Sequence, residues 1–167
     1  MPNNVSYRNC LPCTACCEGW LDISEESVQA QVGSPCRNCT SHGCGIYESR
    51  PIEPCQTFLC AWRQKNTPLI EAMRPDLSGV IVVMDRMAWH QKPVIVGIPT
   101  GEKIPEKSLT YLQGLASLLD LNLLTVHYLM ENGKLTGKSK LIAYGEQEFK
   151  EDMKLRFKDG KPDWLML

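Results

Sequence analysis

The sequence predicts an α+β fold in which a cysteine-rich, loop-dominated N-terminal region packs on a small C-terminal α/β unit. Three observations predict it. All nine cysteines of the 167 residues lie between positions 10 and 60, in a stretch rich in Pro and Gly and poor in periodic apolar pattern. Two β-branched runs, GVIVVMDR (79–86) and PVIVGIP (93–99), read as strands. Beyond them, IPEKSLTYLQGLASLLDLN (104–122) carries the helical period. The division falls near position 65. Residues 1–64 form the cysteine-rich region and residues 65–167 the α+β region, the two packed as one compact unit.

In the first region, SEESVQAQVG (24–33) predicts a short helix, capped by Ser24 and stopped by Gly33. The rest reads as loops and knuckles. In the second region, TPLIEAMRPD (67–76) predicts a short helix with a proline at its start and Pro75 at its end. Within 104–122, Leu109, Leu112, Leu115, Leu118 and Leu119 are expected to share one face. LLTVHYLM (123–130) reads as a strand, ENGK (131–134) as a turn and KLIAYG (140–145) as the partner strand. EQEFKEDMKLRF (146–157) closes the series as an amphipathic helix.

Composition excludes several classes. Hydrophobic residues at 43% and charged residues at 22% are ordinary for a globular protein. The net charge of −1 hides an asymmetry: residues 1–62 hold three arginines (Arg8, Arg37, Arg50), six carboxylates and no lysine. Nucleic-acid affinity needs clustered Lys and Arg, so no nucleic-acid partner is expected. The longest apolar run, GVIVVM (79–84), is far short of the roughly 20 residues of a membrane span. MPNNVSYRNC at the start lacks an apolar core of a signal peptide, so the expected location is the cytoplasm, where thiols stay reduced.

That compartment governs the reading of the cysteines. Their spacing is Cys10-x2-Cys13-x2-Cys16-Cys17, then Cys36-x2-Cys39-x4-Cys44, then Cys55-x4-Cys60. An odd count confined to one end of the chain, with two cysteines adjacent, argues against a disulfide framework. A C-x2-C knuckle lets two thiolates reach one ion while backbone amides point at the sulfurs, in zinc and iron–sulfur sites alike. All nine cysteines are therefore candidate metal ligands, and the metal is expected to supply folding energy that the region's weak core does not. Spacing does not separate zinc from an iron–sulfur cluster. Four thiolates satisfy one tetrahedral zinc or one [4Fe–4S] cluster, so nine leave room for two mononuclear sites, a bridged polynuclear site, or one cluster with spare cysteines. In this count the Cys16–Cys17 doublet points to a second ion or a bridging thiolate. Proline precedes Cys13, Cys36 and Cys55 and stiffens the approach to each.

Neighbouring patterns fail on particular residues. The first run starts like a bacterial ferredoxin but lacks the following Cys-Pro, and the spacing of radical-SAM enzymes is absent. Cys10-x2-Cys13 lacks the βαβ context of a thioredoxin. CLPCTACC, followed by GCGIYESRP and CQTFLCAW, does resemble the CxxCxxCC cysteine-cluster family, a zinc- or iron-chelating domain. The resemblance spans roughly residues 8–62. It carries Cys10, Cys13, Cys16, Cys17, Cys36, Cys44 and Cys55, together with Ile46, Tyr47, Arg50 and Pro51. Cys39 and Cys60 lie outside its pattern, and the gap from Arg50-Pro51 to Cys55 is one residue longer than the common form. The resemblance implies metal binding. A related cysteine-rich domain in flagellin lysine methylases implies iron–sulfur binding, and with it an alternative in which the chain is an oxidoreductase or a protein-modifying enzyme. A third alternative is a zinc-stabilised module that docks a protein partner.

Other residues have lesser roles. His42, between Cys39 and Cys44, is a candidate ligand or second-sphere donor, against the simpler reading of a solvated loop residue. His90 and His127 read as ordinary strand residues. Arg50 is expected to face the thiolates or to pair with Glu48 or Glu53. Trp20, Phe58 and Trp62 are expected to form an apolar shell around the metal. GIPTGEK (97–103) lacks the full phosphate-loop pattern.

Overall fold

A computed structural model of the protein describes residues 8–23 and 28–157. In the first region regular structure is brief. A 3-10 turn covers Ala15–Cys17, and a hairpin is made of β1 (Cys39–Thr40) and β2 (Gly43–Cys44). A second 3-10 turn, Tyr47–Ser49, and a kinked helical turn, Ile52–Gln56, follow. The helix expected over 24–33 does not form in its described part. Ser24–Ser27 lie outside the described residues, and Ala30 bridges Ile23 while Gln31 bridges Ser34 in antiparallel fashion. Burial decides this: Ile23, Val28 and Ala30 all turn into one small apolar cluster with Cys36, which an extended pairing allows.

The second region begins with a 3-10 turn at Glu71–Met73 and α1 (Pro75–Ser78). Pro75 starts this helix where the sequence reading ended one. Proline's fixed φ and missing N–H suit the first helical position, where that N–H has no partner to lose. Gly79 closes α1 at φ 72, in the left-handed region, and a Cβ there would lie 2.7 Å from the Pro105 ring.

Next come β3 (Val80–Val83), a small hairpin of β4 (Ala88–Trp89) and β5 (Lys92–Pro93), β6 (Ile95–Pro99), α2 (Glu106–Leu118), β7 (Leu123–Glu131), β8 (Lys134–Tyr144) and α3 (Gln147–Arg156). The four long strands make one mixed sheet in the order β3-β6-β7-β8. β3 and β6 run antiparallel, β6 and β7 parallel, and β7 and β8 antiparallel. The parallel pair requires a crossover, which α2 supplies. The β7–β8 turn places Asn132 at φ 51 and Gly133 at φ 74, the left-handed pair that a tight hairpin demands.

β3 and β6 are buried along their whole length, which is why both read as unbroken apolar runs. α2 covers the sheet with Leu112, Leu115 and Ala116, and Leu109 packs at the margin. Leu118 departs from the expected face and is 81% exposed. It stands six positions beyond Leu112, about 240° around the helix, and so turns to solvent. α3 buries Phe149 and Met153, and Trp89 meets Phe149 edge-on while donating its indole N–H to Asp152.

The cysteine-rich region and the sheet share one core. Ala15, Leu21, Phe58, Cys60, Ala61 and Trp62 belong to the same buried cluster as the sheet's Ile81, Val82 and Leu124. Ala61 N–H donates to Val82 O at 2.6 Å, and the buried Tyr128 hydroxyl donates to the Trp20 carbonyl. These contacts seat the thiols against the edge of the sheet. Among the described residues no helix is long and apolar enough to cross a membrane.

Candidate metal centre

All nine cysteines are described, and all nine are free thiols. Eight of them, all but Cys39, line a single cavity of about 80 Å³, with Ile23, Val28, Phe58 and Trp62 among its apolar walls. The chain reaches this from three directions. The Ala15–Cys17 turn carries the doublet, the β1–β2 hairpin carries Cys39 opposite Cys44, and the segment after Pro54 carries Cys55 and Cys60. Backbone hydrogen bonds knit the pieces: Cys13 N–H donates to Cys10 O at 2.7 Å, Cys39 N–H to Cys36 O at 2.9 Å, and Cys36 N–H to Cys17 O at 2.8 Å. The Leu11–Pro12 and Glu53–Pro54 peptide bonds are cis.

Within the cavity the thiols occupy two neighbourhoods. The thiols whose charges act on Cys16 are Cys60, its chain neighbour Cys17, Cys10 and Cys13. Those that face Cys17 are Cys39, Cys44, Cys36 and Cys55. Cys60 in turn faces Cys10 and Cys13, and Cys55 faces Cys36 and Cys44. Cys60 was outside the family pattern, and only the tertiary fold brings it to Cys10, Cys13 and Cys16. As the side chains stand, no three Cys, His, Asp or Glu groups among the described residues form an arrangement that could hold a metal ion.

Burial dominates the electrostatics. It pushes the Cys17 thiol up to about 12 and the Cys60 thiol up to about 11, and raises Cys16 well above the ordinary value. Cys13, Cys39 and Cys55 are raised as well, burial again first among the causes. Neighbouring thiolates push the same way, because like charges gathered in a small space oppose one another. Burial and mutual repulsion thus both disfavour the charged form of Cys13, Cys16, Cys17, Cys55 and Cys60.

Opposing this, backbone amides are aimed at individual sulfurs. Asn38 N–H donates to Cys36 Sγ at 3.5 Å. The backbone amides of Ala15 and Asp76 lower the Cys13 thiol and those of Trp62 and Arg63 the Cys60 thiol, the Arg63 N–H itself donating to the Cys60 carbonyl at 2.9 Å. The Asn38 bond runs from residue i+2 back to the cysteine, the turn that recurs where a thiolate is held for a metal.

The donor set fits a thiophilic metal, since soft sulfur ligands select zinc and iron–sulfur clusters. A second observation agrees. Trp62 is 3% exposed and lines the cavity, and among the described residues its indole N–H, like that of Trp20 outside the cavity, has no hydrogen-bond partner. A buried donor without a partner costs free energy, and a thiolate or cluster sulfide is the kind of acceptor it lacks.

Arginines surround the same tryptophan. The Arg8 guanidinium lies 5.0 Å from its ring and that of Arg74 5.9 Å, and Arg8 also donates to the carbonyls of Trp62 and Leu69. Arg63 lines the cavity too. This positive rim was not visible in a sequence whose first 62 residues are mildly acidic, because two of its members follow that stretch.

The remaining candidates divide between the cavity wall, where Arg50, Phe58 and Trp62 lie, and the surface. His42 is exposed and its Nδ1 shares a hydrogen bond with the Ser41 hydroxyl at 2.9 Å, as a solvated loop residue would. Arg50 lies 3.6 Å over the Tyr47 ring and donates to its carbonyl, while its charge lowers Cys55. Among the described ion pairs it joins neither Glu48 nor Glu53, the latter accepting instead from Thr57. Phe58 and Trp62 do line the cavity wall, whereas Trp20 packs on Tyr128 outside it.

Set beside known proteins, the chain matches no family model, no curated protein and no solved structure.

Proposed function

We propose that this chain is a metal-binding protein of the reducing cytoplasm, holding zinc or an iron–sulfur cluster in its cysteine cage. The observation that carries the reading is the gathering of eight free thiols around one cavity walled by apolar side chains. Three further features support it: the amides directed at Cys13, Cys36 and Cys60, the orphaned Trp62 N–H, and the motif resemblance over residues 8–62.

Cys10, Cys13, Cys16, Cys17, Cys36, Cys39, Cys44, Cys55 and Cys60 are the ligand pool. Closing the site requires their side chains to turn inward around the cation and to give up their protons, so uptake releases protons and weakens as pH falls. Zinc would supply a structural cross-link, and an iron–sulfur cluster an electron-transfer centre. The chain's own contribution is to exclude water with Phe58 and Trp62, to aim N–H donors at sulfur, and to offset negative charge with Arg8, Arg63 and Arg74.

Anaerobic purification followed by metal analysis and absorption spectroscopy tests the proposal. A brown protein with iron and sulfide, or a colourless one with stoichiometric zinc, is the expected outcome, and the colour names the metal. A colourless, metal-free protein that takes up neither zinc nor iron on reconstitution contradicts it.

A further inference from the structure

We propose that the cage is two metal sites, divided between the adjacent residues Cys16 and Cys17: one built from Cys10, Cys13, Cys16 and Cys60, the other from Cys17, Cys36, Cys39, Cys44 and Cys55. The inference rests on the metal-binding reading and specifies it residue by residue.

Packing carries the division. Ala15–Cys17 is a 3-10 turn, in which successive side chains are rotated by about 120° and cannot serve one point together. Cys16 packs against the main core, the cluster that also contains Cys60 and touches Cys13. Cys17 packs against the separate small core of Ile23, Val28, Ala30 and Cys36, together with Cys39 and Cys55. No cysteine belongs to both cores.

The neighbouring thiols agree with the packing. Apart from its chain neighbour Cys17, the thiols that act on Cys16 are Cys60, Cys10 and Cys13, and those that act on Cys17 are Cys39, Cys44, Cys36 and Cys55. Each group is also held by its own local turns. The Cys10–Cys13 bond and the amides on Cys13 and Cys60 shape the first. The Cys36–Cys39 turn, the Cys39–Cys44 cross-strand pair and the Asn38 amide shape the second.

Each group has charged neighbours of its own. The first has Arg8 and Arg74 against Trp62, Arg63 on the cavity wall and Asp76, paired with Arg74, beside Cys13, and the second has Glu18 beside Cys39 and Arg50 beside Cys55. Four thiolates complete the first site, and the five of the second include one more than a tetrahedral ion uses. The doublet is therefore a hinge between two sites, each cysteine serving its own side.

The test uses the full chain, purified anaerobically or reconstituted with zinc or with iron and sulfide. Shielding of each cysteine from alkylation is mapped by mass spectrometry beside metal content. Cys13→Ser is expected to expose Cys10, Cys16 and Cys60 while Cys17, Cys36, Cys44 and Cys55 keep the shielding they have in the wild type. Cys36→Ser combined with Cys55→Ser, which leaves three thiols for the second site, is expected to do the reverse, and each variant keeps the other site's metal. Far-UV circular dichroism checks the fold, with Cys10→Ser as the substitute for Cys13→Ser should that variant not fold. Loss of metal and shielding from both groups on either substitution, in a folded protein, overturns the division and shows one bridged polynuclear site. A wild-type protein that binds no metal fails at the earlier step and contradicts the metal reading itself.

Discussion

In the C-terminal unit β3 and β6 are buried at every position and four strands of four to eleven residues hydrogen-bond side by side. In residues 8–62 each strand is two residues long, and the apolar cluster unique to that region consists of Ile23, Val28, Ala30 and Cys36. The first unit has the ordinary means of stability, apolar area and a paired ladder. The second is pinned to the sheet by Ala61, Trp62 and Tyr128, and fills its remaining interior with thiols. Such an interior is poorly stabilised by burial alone, because each desolvated polar group needs a partner. On the proposed reading, a bound cation would supply the partner for many sulfurs at once.

Perturbations chosen to break this contrast differ in size. Phe149→Ala removes a fully buried side chain from beneath β7 and β8, and should cost about 3–5 kcal/mol whether or not metal is bound. Denaturant unfolding of the metal-loaded and metal-free proteins checks it, and a cost that appears only in the loaded form would mean that the sheet unit does not stand on its own.

A smaller effect comes from pH and belongs to the cysteine region alone. Burial raises the thiols of Cys16, Cys17 and Cys60, and a metal holds them only as thiolates, so binding must displace their protons and weakens as pH falls. Metal content after equilibration with a competing chelator from pH 8 down to pH 5 should fall steadily, and content unchanged at pH 5 would contradict thiolate ligation.

Tyr128→Phe removes the hydroxyl that ties β7 to the Trp20 carbonyl, and should cost about 1 kcal/mol. Hydrogen exchange should locate the loosening around Trp20 with β6 and β7 unchanged; equal loosening of both would deny that the bond is a tether between regions. Leu118→Ser marks the lower bound. With 81% of the residue exposed, stability should stay within about 0.5 kcal/mol by denaturant melt, and a larger loss would mean that this face is covered.

The same contrast explains what could be read from the sequence. β3, β6, α2, β7 and α3 were legible because their burial is periodic or continuous, and the α+β class followed. Pro75 and the described part of the stretch, 28–33, were misread because local propensity was outweighed, in one case by the first-turn preference of proline and in the other by the shared burial of Ile23, Val28 and Ala30. The β4–β5 hairpin went unseen because its turn sets His90 at φ 47 and Gln91 at φ 67, without the Asn or Gly that signals such a turn. At the candidate centre the cysteines and their knuckles were visible by spacing. Their grouping was not, since Cys60 reaches Cys10 and Cys13 only through the return of the chain along β3, and the Trp62 N–H and the Arg8–Arg74 rim exist only after folding.

The central claim is that residues 8–62 depend on a thiolate-bound metal and residues 80–157 do not. Hydrogen exchange of the anaerobically purified protein, before and after chelation, tests it most directly. The account predicts that chelation strips protection from the segments around Cys13–Cys17, Cys36–Cys44 and Cys55–Cys60 while β6, β7 and α2 keep theirs. Undiminished protection of the cysteine segments after complete removal of the metal would contradict it.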